Sequence, residues 1–188
     1  MNQEQTLLVE QNFITYNNDI IKEARDISKT LVLRNVVLQR ANAKNQNGRI
    51  YPKEILEREI ENYKTGPIAE NRALGELDHP DSSVINLQNV SHNIKKLWWD
   101  GDDVMGEVEI LSTPAGNILK ALFEAGVTVG ISSRGMGSVK ENMSEGTVEV
   151  QDDFELLCWD FVSTPSTHGA FMTPKGRALQ EGKIKVPT

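Results

Sequence analysis

The stretch GISSRGMGS, residues 130–138, sets two adjacent serines, an arginine and three glycines at the end of the apolar run VTVGI. A serine becomes a nucleophile only when a base takes its proton and a third group holds that base. Alternation along a strand sends Ser132 and Ser133 to opposite faces, so only one of them can meet a given base. The glycines at 130, 135 and 137 let another backbone come close and leave N–H groups able to receive an oxyanion. Arg134 stands where the Gly-x-Ser-x-Gly elbow of parallel-sheet hydrolases has its second glycine, so that motif is excluded. A solvated Gly/Ser-rich strand end is the plainer reading of the same residues.

The search for a base is short, because the chain has three histidines: His79, His92 and His168. His79 lies in ALGELDHPDSS, between Leu77 and Pro80 and beside Asp78 and Asp81. Such acids would hold an imidazole and raise its pKa, which suits a base near neutral pH. A loop histidine satisfied by local hydrogen bonds is the alternative. His92, in VSHNIKK, reads as a polar-face residue. For the third group, Asp160 sits between Trp159 and Phe161, where a carboxylate is costly unless paired. An imidazole would pair it, but so would a turn cap or a salt bridge to Arg134. His168 competes for the same role. Asp78, His79 and Asp81 could ligate a metal, yet no His-x-x-x-His or cysteine pair supports that reading, and no metal or other cofactor is expected.

The chain of 188 residues carries a net charge of −7 and a pI near 5.1, with 38% hydrophobic and 25% charged residues. That is an ordinary globular mix with one core. Its acidity argues against a nucleic-acid or anionic-membrane partner, because phosphate binding needs clustered Lys and Arg. One cysteine, Cys158, excludes an internal disulfide and points to a reducing cytoplasm. No apolar run approaches a membrane span, and the start lacks the order of a signal peptide.

The positioning elements follow from periodicity. Residues 1–30 read as an arm, 31–175 as the folded domain and 176–188 as a loose tail. LVLRNVVLQRA (31–41) predicts a strand buried on both faces. Pro52 opens a helix with an apolar stripe of Ile55, Leu56, Ile60 and Tyr63, along which Glu59 falls, and Gly66 ends it. Asp100-Gly101 divides two strand-like runs of a hairpin. Thr113 caps a second helix that starts at Pro114, buries Ile118, Leu119, Leu122 and Phe123, and stops at Gly126. Further strands are expected at VTVGISS, GTVEVQ and FELLCWDFVS. Strands dominate and two helices interrupt them, which predicts an α+β chain with an antiparallel barrel or strongly curved sheet.

Five segments, NGRIYPKEILEREIENY, ALGELDHP, LWWDGDDVMGEVEIL, GISSRGMGS and WDFVSTPS, occur in the order found in the prohead core (maturation) proteases of myovirus-type tailed phages. The resemblance covers residues 35–175. It implies a closed, mostly antiparallel β-barrel surrounded by helices, similar to the herpesvirus assemblins. It also implies a serine endopeptidase that digests scaffold core and major capsid proteins inside the assembling prohead in the host cytoplasm, as a dimer or higher homo-oligomer. By resemblance Ser132 is the nucleophile, His79 the base and Asp160 the third member, with Ser133, Arg134 and Gly135 near the oxyanion. Family substrates are cut after Glu in Leu/Ile-x-Glu, and LVE (8–10) and LQE (179–181) predict self-cleavage at Glu10 and Glu181. A catalytically inactive capsid- or scaffold-binding protein of the same fold is the rival reading. It requires Ser132, His79 and Asp160 not to converge.

Overall fold

The structure, a computed structural model, describes residues 5–13 and 31–163. Its elements run β1 (Thr6–Phe13), β2 (Leu31–Arg40), β3 (Arg49–Ile50), α1 (Lys53–Tyr63), β4 (Leu74–Glu76), β5 (Val90–Asp100), β6 (Asp103–Ile110), α2 (Pro114–Glu124), β7 (Val129–Gly137), β8 (Val139–Asn142), β9 (Thr147–Val150) and β10 (Glu155–Ser163). The strands form three sheets, ordered β1-β7-β10, β2-β6-β5-β4 and β3-β9-β8. Every ladder is antiparallel except β3 with β9.

This is the expected α+β class, but no closed barrel is found among the described residues. The sheets come nearest to joining where β4 approaches β10, and there a single bridge, Leu77 with Phe161, links them. The reason is local. The Glu76 N–H donates to the Asp160 carboxylate at 2.9 Å instead of to a strand neighbour. Asp78 then adopts φ 70°, turning the chain away from the ladder.

Residues 6–13, expected within a peripheral arm, form β1 beside β7, with Leu7 and Leu8 fully buried. The strand at 31–40 buries Leu33, Val36 and Leu38 but exposes Asn35 and Val37, so it is one-sided rather than buried on both faces. Asn35 takes φ 56° where the register with β6 shifts, and this bulge breaks the alternation. The Asp100-Gly101 hairpin forms as expected, with Gly101 at φ 59° in its turn.

In α1, Leu56, Ile60 and Tyr63 recur at helical spacing and face the core. Glu59 shares that buried face because its carboxylate accepts the Leu156 N–H at 2.9 Å. Gly66 does not end the helical path: a π-helical turn, Lys64–Ile68, carries it through Gly66 and Pro67. The second helix starts as predicted, the Thr113 hydroxyl accepting the Gly116 N–H at 3.0 Å. It ends at Gly126, φ 74°. Of its predicted face, Leu119 and Phe123 are buried, whereas Ile118 is 54% exposed. Tyr63 meets Trp159 and Phe123 meets Phe161 edge to face, with centroids 5.2 and 5.8 Å apart. The core thus presses directly on the strand that carries Asp160.

Candidate active site

The middle strand of its sheet, β7, presents two different faces because its side chains alternate. Ile131 packs into the hydrophobic core and Ser133 shares its face by alternation, while Ser132 and Arg134 lie on the other. The register places Asp160 of β10 directly across from Ser132, on the same face. His79 comes from the loop after β4. The Asp78 N–H donates to the Phe161 carbonyl at 2.6 Å, and the His79 N–H donates to the Asp78 side chain at 3.1 Å. Aspartate tolerates the left-handed conformation this turn needs, and the turn swings the imidazole toward β7.

Residues 53 and 28 positions apart in the chain are thereby brought together. Ser132 Oγ lies 2.6 Å from His79 Nε2, and His79 Nδ1 lies 3.1 Å from Asp160 Oδ2. An ionised carboxylate only accepts, so Nδ1 carries the ring proton and Nε2 accepts from the hydroxyl. Ser132 and Asp160 are wholly buried, and the His79 side chain is 15% exposed. Both nitrogens of His79 are turned to protein partners. Among the described residues, no group of three or more His, Cys, Asp or Glu is arranged to hold a metal ion.

Asp160 is anchored on every side. Arg134 grips it in a fork, Nε to Oδ2 at 2.7 Å and Nη2 to Oδ1 at 3.0 Å. Burial pushes the Asp160 carboxyl up, but the hydrogen bond from His79, the Arg134 charge and the Glu76 N–H outweigh it and hold the group below the usual carboxylate range. Arg134 also donates to Glu76 Oε2 at 2.9 Å and to the Ser82 carbonyl at 2.9 Å. The loop beyond His79 is therefore tied to the same guanidinium. Both sequence readings of Asp160, imidazole partner and salt bridge to Arg134, hold at once.

The residues expected near the oxyanion, Ser133, Arg134 and Gly135, all lie in β7 beside Ser132. The Arg134 guanidinium is fully buried and aimed at two carboxylates, Asp160 and Glu76. Ser133 and Gly135 lie inside β7 with ladder partners on both sides, Glu10 and Trp159 for the first, Leu8 and Leu156 for the second. A Cβ on Gly135 would stand 2.3 Å from the Phe154 ring, so this glycine makes room for an aromatic. Sequence reasoning missed Glu76, whose partner is 58 residues away and is signalled by no local pattern. His92 is buried, not on a polar face. Its Nδ1 accepts from Ser91 Oγ and its Nε2 donates to the Trp159 carbonyl, each at 2.7 Å. Burial lowers its pKa to about 4, so it is neutral packing behind the site. His168, Glu181 and the tail 176–188 lie outside the described residues.

A hydroxyl, an imidazole and a carboxylate in relay on an antiparallel frame are the equipment of a nucleophilic hydrolase. The chain belongs to the prohead core protein serine protease family, which it matches over residues 9–181. It is 35% identical over 142 residues to the Prohead core protein protease of Enterobacteria phage T4, a stretch that spans 74% of this chain and 66% of that protein. Its fold is similar to that of the bacteriophage T4 capsid assembly protease, gp21, with a TM-score of 0.74 and 26% identity over 87% of this chain and 100% of that one. No helix among the described residues is long and apolar enough to cross a membrane.

Proposed function

We propose that this chain is a serine endopeptidase that cuts scaffold and capsid proteins after Glu in Leu/Ile-x-Glu segments during phage head maturation. The observation that carries the reading is the relay itself, Ser132 Oγ to His79 Nε2 at 2.6 Å and His79 Nδ1 to Asp160 Oδ2 at 3.1 Å. His79 takes the Ser132 proton as Oγ attacks the scissile carbonyl, then returns it to the leaving amine. Asp160 keeps the imidazole in the tautomer that accepts at Nε2 and stabilises the imidazolium between those steps. Arg134 keeps Asp160 ionised and fixed. Self-cleavage after Glu10 and Glu181 belongs to the same proposal, and the first of these bonds lies in β1, paired with the strand of Ser132.

The test is hydrolysis of a Leu-Val-Glu-Gln peptide by wild type and Ser132→Ala, each with and without a chelator. The expected result is a loss on the order of 10⁴-fold in kcat/KM for Ser132→Ala and no effect of the chelator. Activity that survives the substitution and disappears with the chelator would overturn the serine mechanism.

A further inference from the structure

An enzyme that cuts a chain must lay it extended beside its nucleophile, and adding a strand to an open sheet edge is the general way to do so. Here β7 has two edges, and β10 holds one of them permanently because it carries Asp160. The other is occupied by β1, whose register puts Gln11 opposite Ser132 and Glu10 opposite Ser133. The bond between residues 10 and 11 therefore lies beside the nucleophile's own position in the strand. Glu10 and Ser132 project from opposite faces of the sheet, so the recognised side chain does not block approach from the Ser132 face.

Glu10 is buried, and each of its carboxylate oxygens receives two hydrogen bonds. Oε1 accepts from Arg49 Nη1 at 2.7 Å and from the Tyr51 hydroxyl at 2.8 Å. Oε2 accepts from Asn45 Nδ2 at 2.6 Å and from Asn47 Nδ2 at 2.9 Å. The same loop holds the backbone: Asn47 donates to the Val9 carbonyl at 3.1 Å. It is itself pre-shaped, because Asn45 Oδ1 accepts the N–H groups of Asn47 and Arg49, both at 3.0 Å. A second observation is independent of Glu10. Gln39 is 3% exposed, neither atom of its carboxamide has a partner, and it lines a cavity of about 270 Å³ shared with Glu10, Asn45 and Tyr51. A buried donor and acceptor side by side match a peptide group.

We propose that Arg49, Tyr51, Asn45 and Asn47 are specificity-determining residues, forming a subsite for a glutamate side chain on the acyl side of the cut bond, and that β1 fills it in cis with Glu10. This inference rests on the peptidase reading. Four donors converging on two oxygens favour a carboxylate over a carboxamide, whose NH₂ would face two of them. A substrate strand takes the subsite by displacing β1.

The test is binding rather than turnover, on the full chain carrying Ser132→Ala so that nothing is cut. Fluorescent peptides Leu-Val-Glu-Gln and Leu-Val-Gln-Gln, copied from residues 8–11 and varied at the third position, are titrated by anisotropy. Adding Glu10→Gln, which loosens the strand in residence, tightens the Glu peptide at least ~10-fold and reveals a preference over the Gln peptide on the order of 100-fold. In that background Arg49→Gln abolishes the preference and Tyr51→Phe cuts it about 10-fold, with far-ultraviolet circular dichroism unchanged. A preference that survives both substitutions, or no binding to any variant, overturns the subsite. A Glu preference here, together with no hydrolysis of the same peptide by the wild-type chain, supports the subsite while refuting the peptidase reading.

Discussion

The fork of Arg134 on Asp160 invites removal of one partner. In Arg134→Met the stem is kept and the guanidinium is lost, leaving Asp160 and Glu76 fully buried without a cation. Asp160 keeps the His79 and Glu76 N–H bonds, whereas Glu76 Oε2 loses its guanidinium. Stripping one partner from a buried ion pair costs about 3–5 kcal/mol. With a urea m-value of about 2 kcal/mol per molar, the unfolding midpoint falls by roughly 2 M at pH 7. Adding Glu76→Gln removes one stranded charge, so the double variant recovers about 1–3 kcal/mol. The deficit also depends on pH. In the wild type the Asp160 pKa is depressed, so its stabilisation is present above the unfolded value and lost as pH falls through the lower folded one. Without Arg134, burial drives that pKa up, the variant takes a proton at higher pH, and its deficit shrinks as pH is lowered toward 4.5. Urea titrations at pH 7.5 and 4.5 read all three effects. A midpoint shift worth less than about 1 kcal/mol, or a further loss on adding Glu76→Gln, refutes the electrostatic argument.

Substitutions at three further positions probe the frame around the site. His92 has a folded pKa of about 4 against an ordinary 6.5, so on acidification the unfolded chain binds the proton first. The His92 contribution to stability is therefore level above about pH 6.5 and falls by about 3 kcal/mol as pH drops to 4, and His92→Gln removes that part of a urea-midpoint profile. Gly75→Ala puts a Cβ 2.0 Å from the Trp159 carbonyl and 2.2 Å from His92 Nε2; it breaks their hydrogen bond and lowers stability by about 3 kcal/mol in thermal unfolding. Asp78→Gly keeps the turn at φ 70° and retains peptide hydrolysis, whereas Asp78→Val costs about 1–2 kcal/mol and slows the reaction by misdirecting His79.

Local signals carried well where chemistry is local. Thr113-Pro114 and Gly126 bound their helix, Asp100-Gly101 turns its hairpin, and Trp159-Asp160-Phe161 advertised a carboxylate in need of a partner. What failed to show were the long-range pairings. Nothing near Glu76 announces Arg134, and nothing in the polar opening residues announces that Leu7 and Leu8 sit in the core beside β7. Closure of the sheet was overestimated for a related reason. Period-two alternation predicts strands, but it does not reveal that the Glu76 N–H is diverted to a side chain. His92 misled because its neighbours Ser91 and Asn93 are polar, while all three are buried.

One strand carries both Ser132 and Arg134, two positions apart and therefore on one face. A slip of β7 by a single residue would turn Ser132 away from His79 and, in the same movement, drive the guanidinium into the space beside Trp159. Two buried carboxylates would be abandoned at once. The slipped register is thus costly, because it strands two buried carboxylates. Arg134 acts in this respect as a proofreader of strand register: a molecule that has folded with its charges satisfied has also aligned its serine.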